Sequence, residues 1–71
     1  MEDVAIKTPY IQLDQLLKRM GDVPSGGAVK MLLAAGCIRC NGAAETARRR
    51  KLYAGDTVEV KGGGSYRIVH V

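Results

Sequence analysis

The chain of 71 residues has no tryptophan and no phenylalanine, and its aromatic side chains are three tyrosines, Tyr10, Tyr53 and Tyr66. Proteins that read single strands by stacking bases on an aromatic surface use more rings than this, so composition favours contacts to backbone and shape. Long apolar runs are also missing. The longest stretches, around Leu16-Leu17 and from Met31 to Ala35, fall far short of the roughly 20 residues that cross a bilayer. Met1-Glu2-Asp3 opens acidic and leads to no apolar segment of the kind found in secretory signals. These features predict a cytoplasmic protein with no membrane association.

Cysteine is scarce as well, with Cys37 and Cys40 in a single Cys-Ile-Arg-Cys. A structural zinc site takes four ligands, and His70 is the one further soft ligand, so a single chain cannot complete a tetrahedron from Cys and His. A thioredoxin-like pair sits at a helix N-terminus, whereas these residues follow a glycine that reads as a helix stop. Reduced thiols are expected, one of them in the core. His70 has no Ser or Cys at a spacing that suggests a nucleophile, the acids form no paired motif, and the glycines form neither a P-loop nor a dinucleotide fingerprint. The sequence predicts no enzyme, metal or cofactor.

What the chain does have is positive charge and regular patterning. Eleven Lys and Arg against seven Asp and Glu leave a net charge of +4, which favours a polyanionic partner. The length suits one domain, residues 1–71, with a modest core, because a chain this short buries about 60% of its unfolded surface. Val4 to Lys7 reads as a short strand ended by Thr8-Pro9. From Ile11 to Met20, Leu13, Leu16, Leu17 and Met20 recur at helical spacing, and Gly21 stops the segment. A second helix is predicted from Gly26 to Ala35, capped by Ser25, with Ala28, Val29, Leu32 and Leu33 inward and Gly36 as its stop.

Beyond Cys37 the period becomes two. Ile38 and Cys40 should face inward and Arg39 and Asn41 outward, with Asn41-Gly42 as a type I′ hairpin turn leading into Ala43 to Thr46. Ala47 to Leu52 reads as a basic connection, Gly55-Asp56 as a turn, and Thr57 to Lys61 as a strand. Gly62-Gly63-Gly64 then turns the chain into a last strand, Tyr66 to Val71. The expected layout is two helices followed by a small antiparallel sheet, in one α+β unit.

Two places stand out as candidate sites. Ser25-Gly26-Gly27 opens a helix, where unpaired N–H groups and the helix dipole favour an anion, and Lys30 lies one turn inside. Arg48-Arg49-Arg50-Lys51 places four cations in a row, which repel one another unless a polyanion neutralises them. Arg39 and Asn41 could add a guanidinium and an amide to the same surface.

These residues also carry a family resemblance. The strings Ile11-Gln12-Leu13-Asp14-Gln15-Leu16-Leu17-Lys18, Ser25-Gly26-Gly27-Ala28-Val29-Lys30, Asn41-Gly42, Glu45-Thr46, Arg50-Lys51-Leu52 and Gly55-Asp56-Thr57-Val58 resemble the small stand-alone S4-domain RNA-binding proteins of bacteria, the YbcJ/YaaA-like group. The likeness covers about Tyr10 to Val60. It implies the S4-like (αL) fold, a helix pair beside a small sheet, and a surface for structured RNA at the positions of Ser25, Gly26, Gly27, Lys30, Asn41, Arg48, Arg50 and Lys51. The implied partner is ribosomal or transfer RNA, in a ribosome or an assembly intermediate, met by a monomer. A second reading is a protein-interaction adaptor whose basic face meets an acidic or ribosomal protein.

Overall fold

Alternating apolar residues in four strands, Val4 and Ile6, Ile38 and Cys40, Val58 and Val60, and Tyr66 and Ile68, turn to one face of a sheet, and the two helices cover that face. The structure, a computed structural model, describes residues 1–71. In chain order the elements are β1 (Glu2–Ile6), β2 (Ile11–Gln12), α1 (Leu13–Arg19), α2 (Gly26–Ala34), β3 (Ile38–Cys40), β4 (Ala43–Ala44), β5 (Lys51–Leu52), β6 (Thr57–Val60) and β7 (Ser65–His70). Five strands form one sheet in the order β1-β7-β6-β3-β4, and β2 pairs with β5 in a separate two-stranded ribbon.

Three expectations are corrected. The helices do not open the chain, because β1 and β2 precede them. The sheet is mixed rather than antiparallel, since β1 runs parallel to β7 with Val4 beside Ile68 and Ile6 beside His70. A parallel partner from the far end of the chain leaves no local turn signal in the sequence. Ile11 and Gln12 also do not belong to the first helix, because Ile11 pairs with Leu52 and Gln12 with Lys51.

The helices are held by their apolar stripes. Leu13, Leu16 and Leu17 of α1 are fully buried, as is Val29 of α2, each Leu or Val contributing about 1.5–3 kcal/mol by leaving water. Ala28 and Leu32, expected in the stripe, are only partly buried. The α2 helix ends at Ala35 as its C-cap, and Gly36 follows with φ +72°, a left-handed conformation that glycine takes without penalty. Asn41 (φ +54°) and Gly42 (φ +82°) form the tight hairpin turn between β3 and β4, as their dipeptide predicts.

One polar network closes the core beneath the glycine turn. The Tyr66 hydroxyl donates to Asp22 Oδ2, and Asp22 Oδ1 accepts the Gly64 N–H at 3.3 Å. A Cβ on Gly64 would collide with the Tyr66 ring, so the chain needs glycine there for close approach. Burial, then the hydrogen bond and charge of Asp22, push the Tyr66 phenol up to about 12. A tyrosine whose folded-state pKa is raised contributes stability in full below its unfolded value, about 10, and loses it as pH rises through about 12. Near-ultraviolet titration should show one phenol ionising at about 12. Tyr66→Phe should abolish that step and cost about 1–2 kcal/mol in denaturant unfolding.

Candidate nucleic-acid interface

The basic run is built around one β-turn. Arg50 N–H donates to the Ala47 carbonyl at 3.2 Å, leaving Arg48 and Arg49 at the central positions. Carbonyls of the same segment accept the first N–H groups of α1: Leu13 donates to Arg50 at 2.9 Å and Asp14 to Arg48 at 3.1 Å. These are orphan donors that every helix start must satisfy. The turn is thereby fixed to the start of α1 through backbone groups, which leaves the Arg48 and Arg49 side chains uncommitted.

The four cations of the run have separate fates. Arg50 Nη1 donates to Glu45 Oε1 at 2.5 Å, with the Glu45 side chain 11% exposed. Glu45 Oε2 also accepts the N–H groups of Thr46 (2.9 Å) and Ala47 (3.0 Å). Lys51 lies on β5, where its ammonium sits 4.9 Å from the centre of the Tyr10 ring. Arg49 is exposed and Arg48 half-buried. Of the eleven Lys and Arg, Arg50 and Arg67 are the two in ion pairs, the latter with Asp3. The remaining cations keep their charge available to a partner.

Glu45 therefore organises the loop. Desolvation raises its pKa, but the hydrogen bonds from Ala47, Arg50 and Thr46 outweigh it and hold the carboxyl below its usual value. A depressed carboxylate contributes stability in full above the unfolded value, about 4.3, and loses it as pH falls through the lower folded-state value. Amide exchange at Thr46 and Ala47 should accelerate over that acid interval. Glu45→Gln should remove the pH dependence.

The other candidate converges on the same place. Asp14, in the first turn of α1, has Oδ2 4.0 Å from the point where a Cβ on Gly26 would lie. Its N–H is the group bonded to Arg48. The start of α2 and the basic turn thus flank the start of α1, although they lie far apart in the chain. Ser25 is the N-cap residue of α2 by position, but its side chain makes no capping hydrogen bond, a correction to the expected cap. Gly27 and Lys30 are exposed, Gly26 is half-buried, and Lys30 has no ion-pair partner.

Arg39 and Asn41 do not join this cluster by any contact. Arg39 projects from the outer face of β3, beside Glu59 in register and in a shallow groove with Cys37, Lys61 and Ser65. Asn41 is occupied by the fold: its Oδ1 accepts the Thr57 N–H at 3.0 Å, and its Nδ2 donates to Asp56 Oδ1 at 3.2 Å. Cys40 is buried and burial, ahead of the nearby Glu45, pushes its thiol up to about 11, whereas Cys37 is half-exposed. A thiol held protonated in this way is a weak nucleophile.

Sequence reasoning missed the tyrosines. Because Ile11 pairs with Leu52, Tyr10 and Tyr53 come opposite one another, with ring centres 5.8 Å apart at a tilt of 50°. Tyr53 is tied down on both sides, its N–H donating to Asp56 Oδ2 at 2.8 Å and its carbonyl accepting the Asp56 N–H at 2.9 Å. The available signal was two tyrosines flanking a pair of short apolar segments, which acquires meaning only once the β2–β5 pairing is known.

A two-layer fold with a basic turn and a glycine-opened helix at one end defines the class of small αL domains. The chain belongs to the S4 domain family, whose model matches residues 4–69. Among curated proteins it is 39% identical over 67 residues to a probable ribosome maturation protein, RlbA, of Bacillus subtilis (strain 168), covering 94% of each chain. It is 41% identical over 56 residues to a putative RNA-binding protein, YbcJ, of Escherichia coli (strain K12), covering 79% of this chain and 80% of that one. Among solved structures it is similar to the solution structure of E. coli YbcJ, described as revealing an αL motif involved in RNA binding. The TM-score is 0.69 and the identity 37%, over 97% of this chain and 87% of the other.

Proposed function

We propose that this protein is a non-enzymatic RNA-binding domain of the cytoplasm that grips phosphates of a folded RNA, ribosomal or transfer RNA, during ribosome maturation. The observation that carries the reading is the meeting, at the start of α1, of the Arg48-Arg49 turn and the N-terminus of α2 with Lys30 nearby on that helix. Arg48, Arg49, Lys51 and Lys30 supply point charges. Gly27 is exposed and keeps the backbone open to a phosphate, beside Gly26, which faces the Asp14 carboxylate, with Ser25 able to offer its hydroxyl because no cap occupies it. Arg50 acts through Glu45 to hold the loop, Asn41 serves the fold of the hairpin, and Arg39 lies outside this cluster. The S4 family membership and the relatives named for RNA binding and ribosome maturation support the same reading.

Phosphate contacts release counterions, so affinity must depend on salt. With about five phosphates neutralised, log affinity for a structured RNA should fall against log salt with a slope of about −3.5 to −4.5. A binding titration across salt concentrations tests this. Affinity that stays flat between low and moderate salt would overturn the electrostatic reading and favour the adaptor alternative, in which capture of a protein partner survives nuclease treatment.

A further inference from the structure

We propose that Tyr10 and Tyr53, with the groove beside them, hold an unpaired nucleotide of the bound RNA, the base against the rings and its phosphates met by Lys51, Lys7 and Arg19. This rests on the RNA-binding reading and names the part of the RNA that this face takes.

Three independent features meet at Tyr10. It forms a tilted pair with Tyr53, a residue 49% exposed to solvent whose backbone is clamped by Asp56. Its ring also lies beneath the Lys51 ammonium. And it forms one wall of an open groove of about 880 Å³ that runs between the end of β1 and α1. Lys7, Gln15, Arg19 and Val71 also line that groove, and no Asp or Glu does. The Arg19 guanidinium is held there by donating to the Ala5 carbonyl at 3.1 Å.

The combination selects its ligand by chemistry. Aromatic faces take the flat surface of any base, and cations beside them take the phosphates that a base always carries with it. The volume falls within the range of about 300–1,000 Å³ typical of small-ligand sites, yet the open form suits a passing strand better than an enclosed metabolite. A base inside a duplex has no free face to offer, so the nucleotide must be unpaired. Lys51 follows the Arg48-Arg49 turn in the chain and its ammonium lies over the Tyr10 ring that walls the groove, so Tyr10 links the groove to the proposed phosphate-binding surface. The flexible Lys51 stem can leave the Tyr10 ring for a phosphate as a base arrives.

The test uses two hairpin RNAs with the same stem, one blunt and one with a short unpaired extension carrying 2-aminopurine. The full-length protein should bind the extended RNA about tenfold more tightly than the blunt one, and the 2-aminopurine emission should be quenched on binding. Tyr10→Leu with Tyr53→Leu should remove both the preference and the quenching, while binding of the blunt hairpin stays as it was. Tyr10→Phe with Tyr53→Phe should keep both effects, and serves if the leucine variant does not fold. Equal binding of the two RNAs by the unaltered protein, or quenching that persists in the leucine variant, would overturn the stacking proposal. In that case Arg48→Ala with Arg49→Ala would still weaken both RNAs, so RNA binding would stand without stacking; no binding to either RNA would overturn both.

Discussion

Replacing Arg48 and Arg49 together by Glu is expected to lower affinity for structured RNA about a hundredfold or more at moderate salt, with the melting temperature unchanged. Both residues occupy the middle of a turn whose backbone is held by Ala47, Leu13 and Asp14, and neither side chain is in an ion pair. Their removal thus breaks no ion pair of the fold, while reversal converts two attractions into two repulsions opposite a phosphate chain. The loss should be uniform across RNA sequences, because phosphate contacts carry no base information. Arg48→Ala with Arg49→Ala should act more gently and make the salt slope shallower by about one unit per lost contact. Arg50→Ala should differ in kind, lowering stability by stripping Glu45 of its guanidinium partner. Anisotropy binding curves paired with thermal melts separate the two behaviours. A melt that collapses in the double Glu variant would show that the turn needs its arginine side chains to fold.

The second large effect is on the fold itself. Leu52 is fully buried on β5, between Lys51 and Tyr53, and is paired in register with Ile11. Leu52→Ala should cost about 2–5 kcal/mol through lost burial and the cavity left behind. A domain of this size has a total stability on the order of 4–10 kcal/mol, so much of the margin would go. Because the same strand carries Lys51 and anchors the basic turn, RNA binding should fall with folding. Denaturant unfolding should therefore show an early midpoint, and saturating RNA should restore part of the lost stability, since a ligand of the native state shifts the folding equilibrium. Leu52→Ala with an unchanged midpoint would mean that the β2–β5 ribbon contributes little to the core.

Much of the architecture was legible because it follows from short-range rules. The stripe of Leu13, Leu16 and Leu17 specifies a buried helix face, Asn41-Gly42 specifies the hairpin, and Ile38 with Cys40 alternate inward as a period of two requires. The pairing of β1 with β7 and of β2 with β5 was not legible, since each joins segments distant in the chain. Ile11 illustrates the ambiguity: its apolar side chain fits the helical stripe that follows as well as the strand it enters, and Leu52 decides between them. For the candidate site, the types of residue were visible and their grouping was not. Glu45 gave no sign in the sequence that it would commit Arg50, nor Asp56 that it would hold both Asn41 and Tyr53.

The scarcity of aromatics acquires a different weight in three dimensions. Counting rings excludes a broad stacking sheet, because composition bounds how many rings a surface can carry. It says nothing about where the few rings lie. The sequence by itself determined the positive charge, the helix pair, the hairpin and the glycine that opens α2, all of them set by composition or by neighbours a few residues apart. Only the tertiary structure decided that two of the three tyrosines meet beside a lysine and a groove, and that the basic turn lies against the start of α1. Those contacts depend on which distant strands pair, and pairing is settled by the burial of side chains such as Leu52 against a core that local sequence does not specify.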